Sequence, residues 1–322
     1  MLSTTAKLNQ VSRYLNYFGA IPMIIFGTIG SILTIIVFTQ QPSFRRNPTI
    51  NYLLASAIMT AIHLPTIYSQ SILVDGFLLG IFNTNDIACK EHNYLLYLTT
   101  VPAISFPCWA AFDQYACTCR EATFRQRWHS MHFVRSAIIF TVVFCTLIYI
   151  PVISYSGVID NRCVIFNVQF RQFLNYFLTP LLYTILPFFV IVFFSYKTME
   201  NLRLTGLVHR RDRLLKQIRR MLIPQLMILG ISGFPFSFEV IYFEVTATEV
   251  KSELRQAVEH VFVQIFRLFY HCNFVCAFYI YVYMSTDVRK VLKQIFYKCL
   301  RKNIIVPFES SVGNSMTLQT MN

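Results

Sequence analysis

Charge is what this chain has least of. Charged residues make up 13% of its 322 residues, where an ordinary soluble domain carries roughly a quarter. Carboxylates are scarcest, with 15 Asp and Glu against 28 Lys and Arg. Catalytic signatures are missing too. No His-x-x-Glu-His, Gly-x-Ser-x-Gly or Asp pair stands in an apolar run, so an enzyme is not expected. No residue cluster has zinc-ligand spacing, and Cys117-x-Cys119 is too close and too isolated for a metal site. No metal or other cofactor is expected. The opening residues, MLSTTAKLNQVSRYLNYFG, lack the apolar core and cleavage site of a signal peptide. The first apolar run is expected to act as its own uncleaved signal. No usable Asn-x-Ser/Thr acceptor occurs, since Asn47 is followed by Pro48, so N-glycosylation is not expected.

What the chain has instead is hydrophobic, 55% of all residues. Uncharged windows recur: Tyr14 to Phe44, Asn47 to Val74, His92 to Phe112, Ser136 to Ile159, Gln172 to Tyr196, Met221 to Phe238 and Leu268 to Thr286. Each is at or near the ~20 residues a helix needs to cross a bilayer. Lipid offers the backbone no hydrogen-bond partner, so only helices and closed barrels can span it. Runs such as IPMIIFGTIGSILTIIVF do not alternate as barrel strands must. The expectation is an all-α bundle of seven transmembrane helices near residues 16–40, 48–74, 90–116, 133–156, 174–202, 214–244 and 257–284.

Charge placement predicts orientation. Arg45 and Arg46, the arginines from Arg120 to Arg135, the basic residues from Lys197 to Arg220 and those from Arg289 to Lys302 all fall on one side. By the positive-inside rule that side is cytoplasmic. Residues 1–15 are then extracellular, 16–286 form the seven-helix domain and 303–322 a disordered cytoplasmic tail. Between them, 287–302 carries Val288, Val291, Leu292, Ile295, Phe296 and Leu300 on one stripe opposed by Lys and Arg. This is the pattern of a short amphipathic helix lying on a membrane surface. Near its end Cys299 is either a palmitoylation site or a plain thiol. The net charge of +13 thus points to membrane lipid and not to nucleic acid.

Of the nine cysteines, most lie within spans and read as small buried hydrophobes. Cys89 and Cys163 fall in expected outer segments, where an oxidising environment makes a Cys89–Cys163 disulfide plausible.

Seven spans, this orientation and this cysteine pair resemble the rhodopsin-like (class A) G protein-coupled receptors. That family carries an Asp-Arg-Tyr triplet at a fixed distance after the disulfide Cys of span three. Counted from Cys89, the triplet falls on Asp113-Gln114-Tyr115. Pro187 and Pro235 match the family's helix-kinking prolines of spans five and six. In the Asn-Pro-x-x-Tyr stretch of span seven only Tyr281 survives, with Arg289 at the start of the surface helix. The likeness covers roughly residues 16–302 and is greatest to the divergent, lineage-expanded orphan receptors of invertebrates. Gly30-Ser31 replaces the family's Gly-Asn, Thr60 its span-two acid, and Gly233 its aromatic switch residue.

The resemblance implies a receptor at the plasma membrane, partnered by an unidentified extracellular ligand, peptide or chemosensory, and by a heterotrimeric G protein. Coupling would involve Asp113, Gln114, Tyr115, Tyr281, Arg219, Arg220 and Arg289. Gln114 lacks the triplet's cation, which leaves Asp113 with no adjacent positive charge and predicts altered basal activity or weaker coupling. Leu96 occupies the position of the amine-anchoring Asp and His271 that of the retinal-binding Lys, which disfavours an amine held there and a light sensor. In the outer half of the spans, Glu239 and Arg267 either anchor a polar ligand, pair with each other or face water. Tyr97, Tyr242 and His271 are further candidates for the pocket wall. A non-coupling seven-helix protein, such as a decoy receptor, a transporter or a channel, is the alternative. Pro102, Pro107 and Pro224 leave room for the broken helices a transporter uses, although no internal repeat is visible.

Overall fold

The computed structural model describes residues 4–77, 79–204 and 213–302, without the side chains of 75, 204, 213–220, 222, 226 and 298–302. The expected tail at 303–322 and the side chains of Arg219, Arg220 and Cys299 therefore lie outside the described residues. Seven helices among the described residues are long and apolar enough to cross a membrane: Thr4–Gln40, Pro48–Val74, Asp86–Thr118, Met131–Tyr155, Val168–Arg203, Ile223–Val245 and Glu253–Met284. The chain is a multi-pass membrane protein with an all-α, seven-helix fold. A further helix, Thr286–Lys302, follows span seven after a break at Ser285.

The helix ends follow local chemistry. Span three begins where the Asn85 side chain accepts hydrogen bonds from the Ile87 and Ala88 amides. Asn47 and Ser252 cap spans two and seven in the same way, through the amides of Ile50 and Arg255. Helix continues through Pro102 and Pro107 in span three and through Pro224 and Pro235 in span six, so none of these prolines breaks its span. Pro187 stands just after the π-helical turn Leu181–Ile185. Without an N–H it cannot complete the ladder to the preceding turn. Span one starts further upstream than the hydropathy suggested, because Thr4–Leu15 is an amphipathic helix continuous with the apolar stretch through a π turn at Asn16–Ala20.

Span three lies at the centre, against spans two, four, five and six, while span seven packs on both span one and span six and so closes the ring. The core divides into two layers. One, around Leu64, Tyr68, Tyr149, Leu174 and Tyr270, fills the half of the bundle where span three begins. The other, around Phe38, Phe44, Tyr52, Phe106 and Tyr281, fills the opposite half and takes in Val288 and Val291 of the surface helix. In lipid, such packing is driven by van der Waals fit and not by escape from water. Small residues accordingly mark the closest approaches. A Cβ placed on Gly27 would come within 2.3 Å of Leu64 and 2.9 Å of Val275, which is how span one reaches spans two and seven.

Gly233 does the same between spans five and six, and there the contact is polar. A Cβ on it would sit 2.9 Å from Thr184 Oγ1. Thr184 Oγ1 donates to the Gly233 carbonyl at 3.0 Å and accepts from Ser237 Oγ at 2.8 Å. Gly233→Ala must turn Thr184 aside and break this pair of bonds. It is expected to cost about 1–3 kcal/mol, read as a lower Tm of the purified protein. An unchanged Tm would show that the contact tolerates a methyl group.

A two-stranded hairpin, β1 (Ser156–Ile159) and β2 (Arg162–Ile165), joins spans four and five. Its turn residues Asp160 and Asn161 both have positive φ, 48° and 55°. That is the backbone of a tight hairpin turn, which Asp and Asn tolerate better than most residues.

Candidate functional site

Three regions hold the residues singled out from the sequence. The first is the end of the bundle where span three begins. Cys89 and Cys163 form the expected disulfide, with a Cα–Cα distance of 5.5 Å. It fastens β2 of the hairpin to the first turn of span three. Two polar contacts repeat the attachment: Asp86 Oδ1 accepts from the Val158 amide at 3.2 Å and Asn83 Oδ1 from the Cys163 amide at 3.1 Å.

The second region is the opposite end of span three. Asp113 is 1% exposed and Gln114 is also buried. The Thr49 hydroxyl from span two donates to Asp113 Oδ2, and Gln114 Nε2 donates to Thr49 Oγ1 at 2.8 Å. Asp113 has a cation after all. His129, in the turn before span four, places Nδ1 2.8 Å from Asp113 Oδ1. Burial pulls the His129 pKa down, but hydrogen bonds to Asp113 and Cys117 and the charge of Asp113 outweigh it and push it up to about 10. The expectation that Asp113 lacks a positive neighbour is therefore corrected. The loop supplies the charge that Gln114 does not, and it can do so because the helix Ala122–Trp128 folds back on span three. Trp128 packs edge-on to Phe112 at 5.7 Å and to Phe133 at 4.7 Å. Tyr115 joins this cluster through Phe124 and Phe194.

Tyr281 lies one layer further in. Its hydroxyl donates to Gln225 Oε1 of span six at 3.3 Å. It borders a cavity of about 20 Å³ whose polar lining includes Ser31, Ser56, Thr60, Gln225 and Asn273, a volume that suits a single water. Arg289 does not reach this cluster. It folds back to donate to the carbonyls of Val282 at 3.0 Å and Tyr283 at 2.6 Å, a cation at a helix C-terminus where it opposes the dipole.

The third region is the outer-half pocket expected from Tyr97, Glu239, Tyr242, Arg267 and His271. The structure does not bring these five residues to one cavity. Tyr97 stacks on Tyr149 at 5.1 Å, and His271 stacks on His63 at 5.3 Å, inside packed core. Arg267 does not form an ion pair with Glu239 within 4 Å among the described residues. It donates to Ser71 Oγ at 3.0 Å, which in turn donates to Asn16 Oδ1 at 2.6 Å, a chain linking spans seven, two and one.

Glu239 and Tyr242 instead border a groove of about 650 Å³ between spans six and seven, with Phe238 on their side and Val258, Phe262 and Phe266 opposite. A polar lattice that sequence reading missed closes its end. Glu259 accepts from Tyr242 Oη at 2.8 Å, from Arg255 Nε at 2.9 Å and from Lys251 Nζ at 2.8 Å, and Arg255 also pairs with Glu249. A second missed link, Arg171 and Asn175 on Glu244, joins spans five and six. The spacing of Arg255 and Glu259 at one helical turn was a usable signal for the first; nothing local marked the second.

No family model matches this sequence, and no curated protein matches it.

Proposed function

We propose that this chain is a seven-helix receptor of the rhodopsin-like kind. It resides in the plasma membrane with the disulfide end outside, and passes the binding of an extracellular ligand to a heterotrimeric G protein inside. The observation that carries this reading is span three. At one end Cys89 fastens it to the hairpin by the disulfide to Cys163. At the other, in the family's register, Asp113 and Gln114 sit buried in a polar cluster with Thr49 and His129. Orientation follows from two independent pieces of chemistry. Disulfides persist in oxidising surroundings, and the basic segments gather at the opposite end, where cytoplasmic anionic lipid and the insertion machinery favour them.

In this reading the Asp113–His129 pair takes the place of the family's Asp–Arg pair as the restraint on the inactive state. Gln114 is held by Thr49 and is free of charge. Gln114→Arg places a second cation beside Asp113, in competition with His129, and restores the group that reaches the G protein in the family. At matched surface level, nucleotide exchange on G proteins of each class is expected to rise above that of the wild type. Exchange by neither protein on any class would remove the G protein from the proposal. Substrate-dependent uptake or current in the same cells would then favour a transporter or channel.

A further inference from the structure

We propose that the groove between spans six and seven binds a lipophilic amine, a protonated nitrogen on an apolar body, which enters sideways from the membrane. This deepens the receptor reading by naming its ligand class, and binding can be measured whether or not the protein signals.

The walls set the body of the ligand. Phe238, Val258, Phe262 and Phe266 line a space of about 650 Å³, within the range of small-molecule sites. Phe238 is 71% exposed and Phe262 51%, and both lie on transmembrane helices, so the groove opens toward lipid. Its outer end is closed by the lattice of Tyr242, Lys251, Arg255 and Glu259. Those side chains already satisfy one another, which leaves the bilayer as the way in.

One atom sets the head group. Glu239 Oε2 is buried and has no hydrogen-bond partner. It lies about one turn, roughly 4.5 Å, deeper along span six than Tyr242. A carboxylate oxygen held away from water without a donor is costly. Arg267 acts on Glu239 only through space, and an ammonium group supplies the charged donor that it does not. Acyl chains of bulk lipid fill the apolar walls equally well but bring no donor to that depth, and a fatty acid brings a like charge. The site is distinct from the span-three position where Leu96 stands, so it does not depend on an acid there.

The test uses the purified full-length protein in phosphatidylcholine nanodiscs, titrated separately with dodecylamine, dodecanol and dodecanoate while thermal stability is followed. Dodecylamine is expected to stabilise the wild type with at least about tenfold higher apparent affinity than dodecanol, as a charge-assisted bond allows. Dodecanoate is expected to give no shift. Glu239→Gln should lower the amine's affinity by about tenfold and abolish its advantage over the alcohol. Val258→Trp, which fills the groove from span seven, should weaken both. Equal stabilisation by all three amphiphiles in the wild type would overturn the proposal, with no variant needed. So would an amine preference that survives in folded Glu239→Gln. Amine binding that meets these criteria but leaves nucleotide exchange unchanged on every G protein would keep the site and count against the receptor reading.

Discussion

Replacing His129 by alanine is expected to lower stability by about 3 kcal/mol. Removing one partner of a buried ion pair typically costs about 3–5 kcal/mol, because the other charge stays behind. Here Asp113 is 1% exposed, while 23% of the His129 side chain meets solvent, which places the loss at the low end. His129→Gln keeps a donor without the charge and should lose about half as much. The same pair predicts a pH dependence with a definite sign. The folded-state pKa of His129 is raised to about 10 by its hydrogen bonds to Asp113 and Cys117, against the opposing effect of burial. A raised pKa means that the contribution is complete below the unfolded value of about 6.5. It declines as the pH rises and is lost through about 10. The difference in Tm between wild type and His129→Ala should therefore shrink steadily across that window. A constant difference would show that the two groups meet only as neutral hydrogen-bond partners.

Loss of the disulfide is expected to have an effect of similar size by a different route. Cys89 and Cys163 are 74 residues apart in sequence. Closing a loop of that length restricts a free chain by about 4 kcal/mol in the entropic treatment. Spans three and four stay inserted in lipid when the protein loses its tertiary packing, so part of that freedom is never available. The double substitution Cys89→Ser/Cys163→Ser, which leaves no free thiol to mispair, should cost about 2–4 kcal/mol. It should also expose the hairpin to proteolysis at Asp160-Asn161. A protease-resistant hairpin in that variant would mean that Asp86 and Asn83 alone hold it.

How far these features can be read from residues depends on what enforces them. Lipid enforces the spans over long stretches, so the uncharged windows located all seven. The disulfide was legible because only Cys89 and Cys163 fell in outer segments. The hairpin was not seen, since four-residue strands carry little signal and Asp-Asn is a weaker turn marker than Asn-Gly. His129 was hidden for a different reason. Its contact with Asp113 depends on the path of the loop, which Trp128 fixes by packing into Phe112 and Phe133; no spacing in the chain encodes it. The five pocket candidates are split between two places by azimuth. Helical period says that Glu239 and Tyr242 share a face, as they do. It cannot say which neighbouring helix that face meets; Tyr97 and His271, the other candidates for the pocket wall, lie in the packed interior.

The contact at Gly233 divides span six unequally. The helix runs from Arg213 to Val245, so about 30 Å of it lies on one side of Gly233 and about 18 Å on the other. Thr184 donates to the backbone carbonyl there and accepts from Ser237 one turn away, so a tilt of span six that keeps these bonds must turn about this point. Tilting span six about that point moves the Arg213 end through an arc roughly 1.7 times that of the Val245 end. An occupant that shifts Tyr242 by a fraction of an ångström is thus geared up, with no further machinery, at the end where Arg219 and Arg220 are carried.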